Sequence, residues 1–318
     1  MKRVLVTGAN GFLASALIPC LLSRGYSVRG LLRRAGAYVG ERHPALELVE
    51  GDFTCPNTML SAVSGCDYVI HVAALTSQSA SWKEYLRVNV SATRTLMEIA
   101  AERGVKRFVY VSSANTFAHG SKERPGDETA PFLAPFTDSK YASSKAAAQA
   151  LAADFSSRLD VVTVNPTFMI GACRKGSGSY RITARGLKGV VFCPPGGKNF
   201  VSVEDAASGT VSALENGRAG QAYLLAGDNL SYREFYETVA RVGGRRTRIV
   251  VVPEILLLAA GAVGSLFESM GVRTEINLPN MRILCLCNYY TGAKSRKELD
   301  VEYRSVEQAV RDALLSIV

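Results

Sequence analysis

The chain lacks any apolar stretch long enough to cross a bilayer. Its best candidate, Ile255 to Phe267 after Pro253-Glu254, is about a dozen residues against the roughly 20 a span requires. That stretch reads as a buried helix, with peripheral membrane contact as the alternative. Histidine is scarce, and His43, His71 and His119 form no His-Glu-x-x-His pattern and no tight cluster with carboxylates. No metal site is therefore expected. With no Gly-x-Ser-x-Gly elbow either, a Ser-His-acid hydrolase has nothing to stand on. The seven cysteines, spread from Cys20 to Cys287, make neither a disulfide framework nor a paired Cys-x-x-Cys zinc pattern, and fit a reducing compartment. Internal repeats and low-complexity segments are absent. Although the formal charge is +9, Lys and Arg are scattered, and the longest clusters are Arg33-Arg34 and Arg245-Arg246-Thr247-Arg248. Such a surface draws phosphorylated or carboxylated small molecules rather than nucleic acid. Met1-Lys2-Arg3 is followed at once by Val4-Leu5-Val6, too short an apolar region for a secretory signal. A cytoplasmic location is the expectation.

What is present is a rhythm. Short Val-rich runs at 4–6, 28–32, 46–49, 68–72, 108–111 and 161–164 alternate with segments of helical periodicity at 12–23, 58–63, 82–103 and 141–155. This alternation predicts parallel βαβ units, hence an α/β chain with a doubly wound parallel sheet. After Asn165-Pro166 the rhythm breaks. Residues 171–197, rich in Gly, Ser and basic side chains, read as a loop-dominated excursion; Phe200 to Ala207 restores order, Tyr223-Leu224-Leu225 adds a strand, and Arg248–Val252 is β-like. The expected division is a dinucleotide-binding Rossmann domain at 1–170, with 198–228 returning to it, and a smaller interleaved substrate domain at 171–197 and 229–318.

Two motifs carry chemistry. In Thr7-Gly8-Ala9-Asn10-Gly11-Phe12-Leu13-Ala14 the glycines remove side chains where strand passes into helix, so that a backbone can approach a pyrophosphate on the positive helix end. Further along, Tyr141-Ala-Ser-Ser-Lys145 sets a phenol and an ammonium on one helix face. There the Lys145 charge is expected to draw the phenol down from its ordinary pKa of about 10. The strand 28–32 runs into Arg33-Arg34 where a carboxylate would hold the 2′-hydroxyl of NAD, so NADP(H) is favoured and NAD(H) remains the alternative. Asp52 is placed to accept the adenine amino group, or is a surface turn.

Taken with His71-Val72-Ala73-Ala74, Asn89, Ser112-Ser113, Asn165-Pro166 and Phe200-Val201-x-Val203-x-Asp205-Ala206-Ala207, these motifs make the chain resemble an extended short-chain dehydrogenase/reductase of the NAD(P)-dependent epimerase/dehydratase group. The resemblance implies Tyr141 as general acid/base, Ser113 on the substrate oxygen, and Lys145 on the nicotinamide ribose. It puts Asn89 at a water or a helix kink beside the lysine, or in a purely structural role. The implied cofactor contacts are Gly8, Asn10, Gly11, Phe12, Leu13, Arg33, Arg34, Asp52, Phe53, Ala73, Ala74, Ser112, Pro166 and Thr167, together with Tyr141 and Lys145. Lys198-Asn199 stands where nucleotide-sugar epimerases carry Arg-Asp, and Ser113 is followed by Ala114-Asn115 where dehydratases carry Asp-Glu. The chain is thus more similar to the dihydroflavonol-reductase and 3β-hydroxysteroid-dehydrogenase branch, which implies a bulky ketone or secondary alcohol. A nucleotide-sugar epimerase and a non-catalytic dinucleotide sensor are the alternatives. Thr76, Asn115, Phe117, Phe136 and Phe168 are the candidate substrate contacts, with Tyr180 and Arg181 available to an anionic group. The resemblance also implies a homodimer through the helices at 82–103 and 141–155.

Overall fold

Strands buried on both faces organise the chain. In β1 (Arg3–Thr7) Val4, Leu5 and Val6 are all fully buried, the mark of a strand covered by helices on each side. The computed structural model describes residues 1–77, 79–172 and 178–317. After β1 come α1 (Phe12–Ser23), β2 (Ser27–Leu32), β3 (Leu46–Glu50), α2 (Pro56–Val63) and β4 (Tyr68–His71). One long helical passage follows, made of α3 (Trp82–Tyr85), a π-helical segment at Leu86–Ser91, and α4 (Ala92–Glu102). Then come β5 (Arg107–Val111), α5 (Lys140–Asp154), β6 (Val161–Pro166), β7 (Phe168–Ile170), α6 (Gly178–Gly186), β8 (Val190–Cys193), β9 (Gly197–Ser202), α7 (Val203–Asn216) and β10 (Ala222–Leu225). The chain ends through β11 (Asp228–Ser231), α8 (Tyr232–Val242), β12 (Arg248–Val251), α9 (Glu254–Ser269), α10 (Leu278–Cys285), β13 (Cys287–Asn288), α11 (Ala293–Leu299) and α12 (Val306–Leu315).

Seven strands form one parallel sheet in the order β10-β6-β5-β4-β1-β2-β3. The chain therefore reverses direction across the sheet between β1 and β4, and the crevice beyond their carboxyl ends is where such sheets hold ligands. Leu13, Leu17 and Leu21 of α1 and Val211 and Leu214 of α7 cover one face. Met59 of α2, Leu96 and Met97 of α4, and Ala148 and Ala152 of α5 cover the other. The expected doubly wound sheet is what forms.

A second sheet sets β9 between β11 and β13, with β7 also on β9, and β8 pairs with β12 alone. The core beneath them is aromatic, with Phe200 stacked on Phe235 at 4.3 Å. Two expectations fail here. The excursion 171–197 contains α6 and β8 among its described residues, because β8 finds its partner in β12, a pairing no local pattern reveals. Nor is the apolar helix α9 buried: Ile255 is 75% and Leu266 63% exposed. Its inward face is glycine. A Cβ at Gly261 would meet Met281 Cγ at 2.8 Å and one at Gly264 would overlap the Ile276 carbonyl, so α9 packs closely on α10 and leaves its larger side chains outside.

Candidate active site

The site begins at the turn between β1 and α1. Gly8 has φ +69°, in the left-handed region, and a Cβ there would lie 2.9 Å from Ala73 Cα. Glycine is needed twice over, for the conformation and for the close approach. Gly11 caps α1 without a side-chain bond, and no acidic residue occupies the first turn. The free N–H groups and positive end of α1 therefore face outward, unneutralised. Ala9, Asn10, Gly11 and Phe12, with Tyr38 and Val39, line a cavity of about 170 Å³. This cradle fits a dinucleotide pyrophosphate at a helix end. Leu13 sends its side chain into the core and offers only backbone. Tyr38 and Val39 had no signal in the sequence.

Directly after β2, Arg33 and Arg34 are exposed, and Arg34 has no carboxylate within ion-pair distance among the described residues. The Asp52 carboxyl is held below the usual range, chiefly by the Thr54 N–H at 2.8 Å and further by the charges of Arg87 and Arg33. Arg87, from the π-helical segment, is a cation the sequence reading missed.

Behind the turn lies a fixed hydrogen-bond chain. Thr7 Oγ1 accepts from the N–H groups of Val72 and Ala73, so its own hydroxyl donates to His71 Nδ1 at 2.7 Å. His71 Nε2–H then donates to Thr93 Oγ1 at 3.0 Å, and the Thr93 hydroxyl donates to the Asn89 carbonyl. Burial holds His71 down at about 3, so the ring is neutral. Phe53 packs on it with ring centroids 5.4 Å apart. The Asn89 side chain is saturated: Oδ1 accepts from Leu75 N–H, and Nδ2 donates to the Leu75 carbonyl and to Ser144 Oγ. It ties the π-helical kink and the loop carrying Ala73 and Ala74 to α5.

The candidate reacting groups sit where β5, β6 and α5 meet. Ser139 caps α5 through the Ala142 N–H, which fixes Tyr141 in the first turn. The Ser113 hydroxyl faces the Tyr141 phenol; burial raises the phenol pKa and the serine opposes that rise. Ser113 is held in turn by its loop: Asn165 Nδ2 donates to the Ser113 carbonyl, Thr116 Oγ1 and Gln149 Oε1 at 3.0, 3.0 and 2.7 Å. Lys145, 3% exposed, donates from Nζ to the Val111 carbonyl at 2.7 Å and lies 4.7 Å over the Tyr110 ring. Burial lowers its pKa to about 7. The expected drawing-down of the phenol by the ammonium is thus corrected. Desolvation dominates at both groups, pushing the phenol up and the amine down.

Ser112 is buried beside β6, its N–H bonded to the Val164 carbonyl at 2.8 Å. Pro166 ends β6, and Thr167 Oγ1 donates to Asn199 Oδ1 at 2.7 Å, so Asn199 is a structural node. Of the substrate candidates, Thr76 is exposed, Asn115 is half-buried with its N–H on Ser113 Oγ, and Phe168 lies under Lys198 Nζ at 5.3 Å. Phe117 and Phe136 depart from expectation. Phe117 joins a small core with Ala114, Leu224, Ala226 and Tyr290, and Phe136 is fully buried against His119. Tyr180 and Arg181 lie on α6. A second hollow, missed from the sequence, runs from Tyr85 and Tyr141 to Glu268 and Asn277, so α9 and α10 border the mouth of the site.

The comparisons agree with this geometry. The NAD dependent epimerase/dehydratase family matches residues 4–226. A 3-beta-hydroxysteroid dehydrogenase of Mycolicibacterium neoaurum is 31% identical over 99% of this chain and 91% of its own. A 4-hydroxy-2-methyl-3-oxo-4-farnesyl-3,4-dihydroquinoline-1-oxide ketoreductase of Stigmatella aurantiaca is 30% identical over 98% and 95%. The crystal structure of gox2253 superposes with a TM-score of 0.86 at 27% identity, covering 100% of this chain and 98% of that one. A glycine cradle at the sheet's switch point, a Ser113–Tyr141 pair and full-length relatives lead to one conclusion: the chain belongs to the NAD-dependent epimerase/dehydratase family and is an NAD(P)-dependent dehydrogenase/reductase acting on hydroxyl or keto groups.

Proposed function

We propose that this protein reduces the ketone of a bulky, largely apolar molecule, or oxidises the matching secondary alcohol, with Tyr141 as general acid/base and Ser113 as the second hydrogen bond to the reacting oxygen. The observation that carries this reading is the Ser113–Tyr141 contact held between β5 and α5. A substrate oxygen seated against both hydroxyls is polarised and positioned in one step. The phenol, raised by burial, stays protonated at neutral pH, the form needed to give a proton to a developing alkoxide. A bound nicotinamide dinucleotide supplies or accepts the hydride. Lys145, near its titration point, binds the nicotinamide ribose in this reading, and Asn89 and Asn165 act as positioning residues.

NADP(H) is the favoured cofactor, supported by Arg33 and Arg34 at the end of β2, with NAD(H) as the alternative. The dinucleotide half comprises 1–170, with 198–228 returning to it; α7 covering the sheet and β10 extending it support that division, and β9 is the seam to the substrate half. Free thiols at all six described cysteines suit the cytoplasm, and small residues along α5 suit a homodimer, which light scattering at micromolar concentration checks. A nucleotide-sugar epimerase is the second reading. Lys198 departs from the arginine of those enzymes but keeps a cation at that position, with burial lowering it to about 8 and no carboxylate within ion-pair distance among the described residues.

The test is Tyr141→Phe assayed with NADPH, NADH, bulky ketones and nucleotide sugars. Ketone-dependent oxidation of NADPH by the wild type should fall at least about a hundredfold in the variant while NADPH binding persists. Undiminished turnover refutes the role of Tyr141, and sugar isomerisation without net oxidation refutes the reductase.

A further inference from the structure

Among the described residues nothing covers the outward face of α9. Ile255, Leu256, Val263, Leu266, Phe267 and Met270 repeat at helical spacing along it and are all exposed. No charged residue interrupts it between Glu254 and Glu268. A monomer seldom exposes an uncharged apolar helix face of this length without a use for it. At 16 residues α9 is about 24 Å long, too short to span a bilayer but sufficient to lie in its surface.

The β8–β12 ribbon joins this helix directly, since the Val252 N–H still bonds the Cys193 carbonyl and Pro253 then starts α9. Its outer face carries Val190 and Phe192, 50% and 62% exposed, with Arg248 and Val250 in register beside them. At its far end stand Lys188, Arg245 and Arg246, exposed like Arg248. None of these four cations is within ion-pair distance of a carboxylate among the described residues. An apolar face beside unneutralised positive charge complements one surface in particular, an anionic lipid headgroup layer over hydrocarbon.

We propose that α9 and the β8–β12 ribbon dock the protein on anionic membrane surfaces. The docked helix also borders the hollow that reaches Tyr141, with Glu268 at its inner end paired to Lys140. The catalytic mouth then faces the bilayer, from which an apolar substrate can enter. Docking itself is read without substrate or cofactor and stands independently of the reductase assignment.

The experiment is co-sedimentation of the purified full chain with vesicles of phosphatidylcholine alone or mixed equally with phosphatidylglycerol, in 0.1 M salt. The wild type should pellet with the mixed vesicles and much less with the neutral ones. Leu266→Ser/Phe267→Ser should abolish pelleting. Arg245→Gln/Arg246→Gln/Arg248→Gln should weaken it about a hundredfold, at roughly fivefold per cation. Circular dichroism and light scattering on each variant report folding and mass. The proposal is overturned if the wild type stays in the supernatant with mixed vesicles, or if both folded variants pellet like the wild type. It is equally overturned if the serine variant turns a dimer into a monomer without changing vesicle binding, since the face then belongs to a second copy.

Discussion

His71 offers the sharpest test of the buried network. Its ring is enclosed between Thr7 and Thr93 and held neutral, with its pKa lowered from 6.5 to about 3. In the unfolded chain the same imidazole takes a proton near 6.5. The folded state therefore refuses a proton that the unfolded state binds, and stability falls as pH drops from 6.5 toward 3. The slope is about 1.4 kcal/mol per pH unit for this one group, which integrates to about 2 kcal/mol at pH 5 and almost nothing at pH 7.5. His71→Gln removes the titration and disturbs two hydrogen bonds, at about 1 kcal/mol each. The variant should be the less stable protein at pH 7.5, and its deficit should shrink by about 2 kcal/mol at pH 5. Carboxylates held low in the fold, such as Asp67 and Asp127, destabilise both proteins alike in that window and cancel. Urea unfolding followed by far-UV circular dichroism at the two pH values measures the gap. If wild type and variant lose stability in parallel, His71 is not the buried neutral base argued above.

Gly8→Ala should cost about 2–4 kcal/mol, combining a strained φ with overlap on Ala73, and should weaken dinucleotide binding; calorimetric melting and fluorescence titration read the two effects. Replacing Arg33 and Arg34 together by serine should weaken NADPH binding about ten- to a hundredfold, the size of a lost charge-assisted hydrogen bond, while NADH binding changes little. Lys145→Met removes an ammonium whose burial penalises the folded state at pH values below about 7 and is relieved as pH rises toward 10.5. The wild type should therefore gain about 3 kcal/mol between pH 6.5 and 9.5 that the variant does not show in urea unfolding.

The sheet was legible because each of its first six strands announces itself locally. Val-rich runs such as 4–6 and 161–164 are buried on both faces and need no knowledge of the rest of the chain. The glycine turn and the Tyr141–Lys145 spacing were legible for the same reason. β8 and β11 were not, since Val190–Cys193 acquires its meaning only from β12, and Asp228–Ser231 is polar and pairs with β9. Hydrophobicity also misled in α9, where Gly261 and Gly264 made the small side of the helix the inner one. At the site, most of the core around Phe117, namely Leu224, Ala226 and Tyr290, comes from residues more than a hundred positions away, so little nearby marked it as core. The sign of the Tyr141 shift was illegible because spacing on a helix says which groups are near but not how much water each has lost.

The Thr7–His71–Thr93–Asn89 chain looks like a relay and is a dead end. Each link has a single direction, since Thr7 Oγ1 already accepts twice and Thr93 donates onward. Reversing the chain would require the ring to present a proton to an oxygen that must itself donate, and the last acceptor is a backbone carbonyl, which passes no proton on. A histidine within the catalytic half of the molecule is thereby removed from acid–base traffic. In the mechanism proposed above the return of a proton to Tyr141 after each turnover is left to Ser113, Lys145 and the solvent at the mouth, so the pH profile of the reaction should carry no signature of the His71 imidazole.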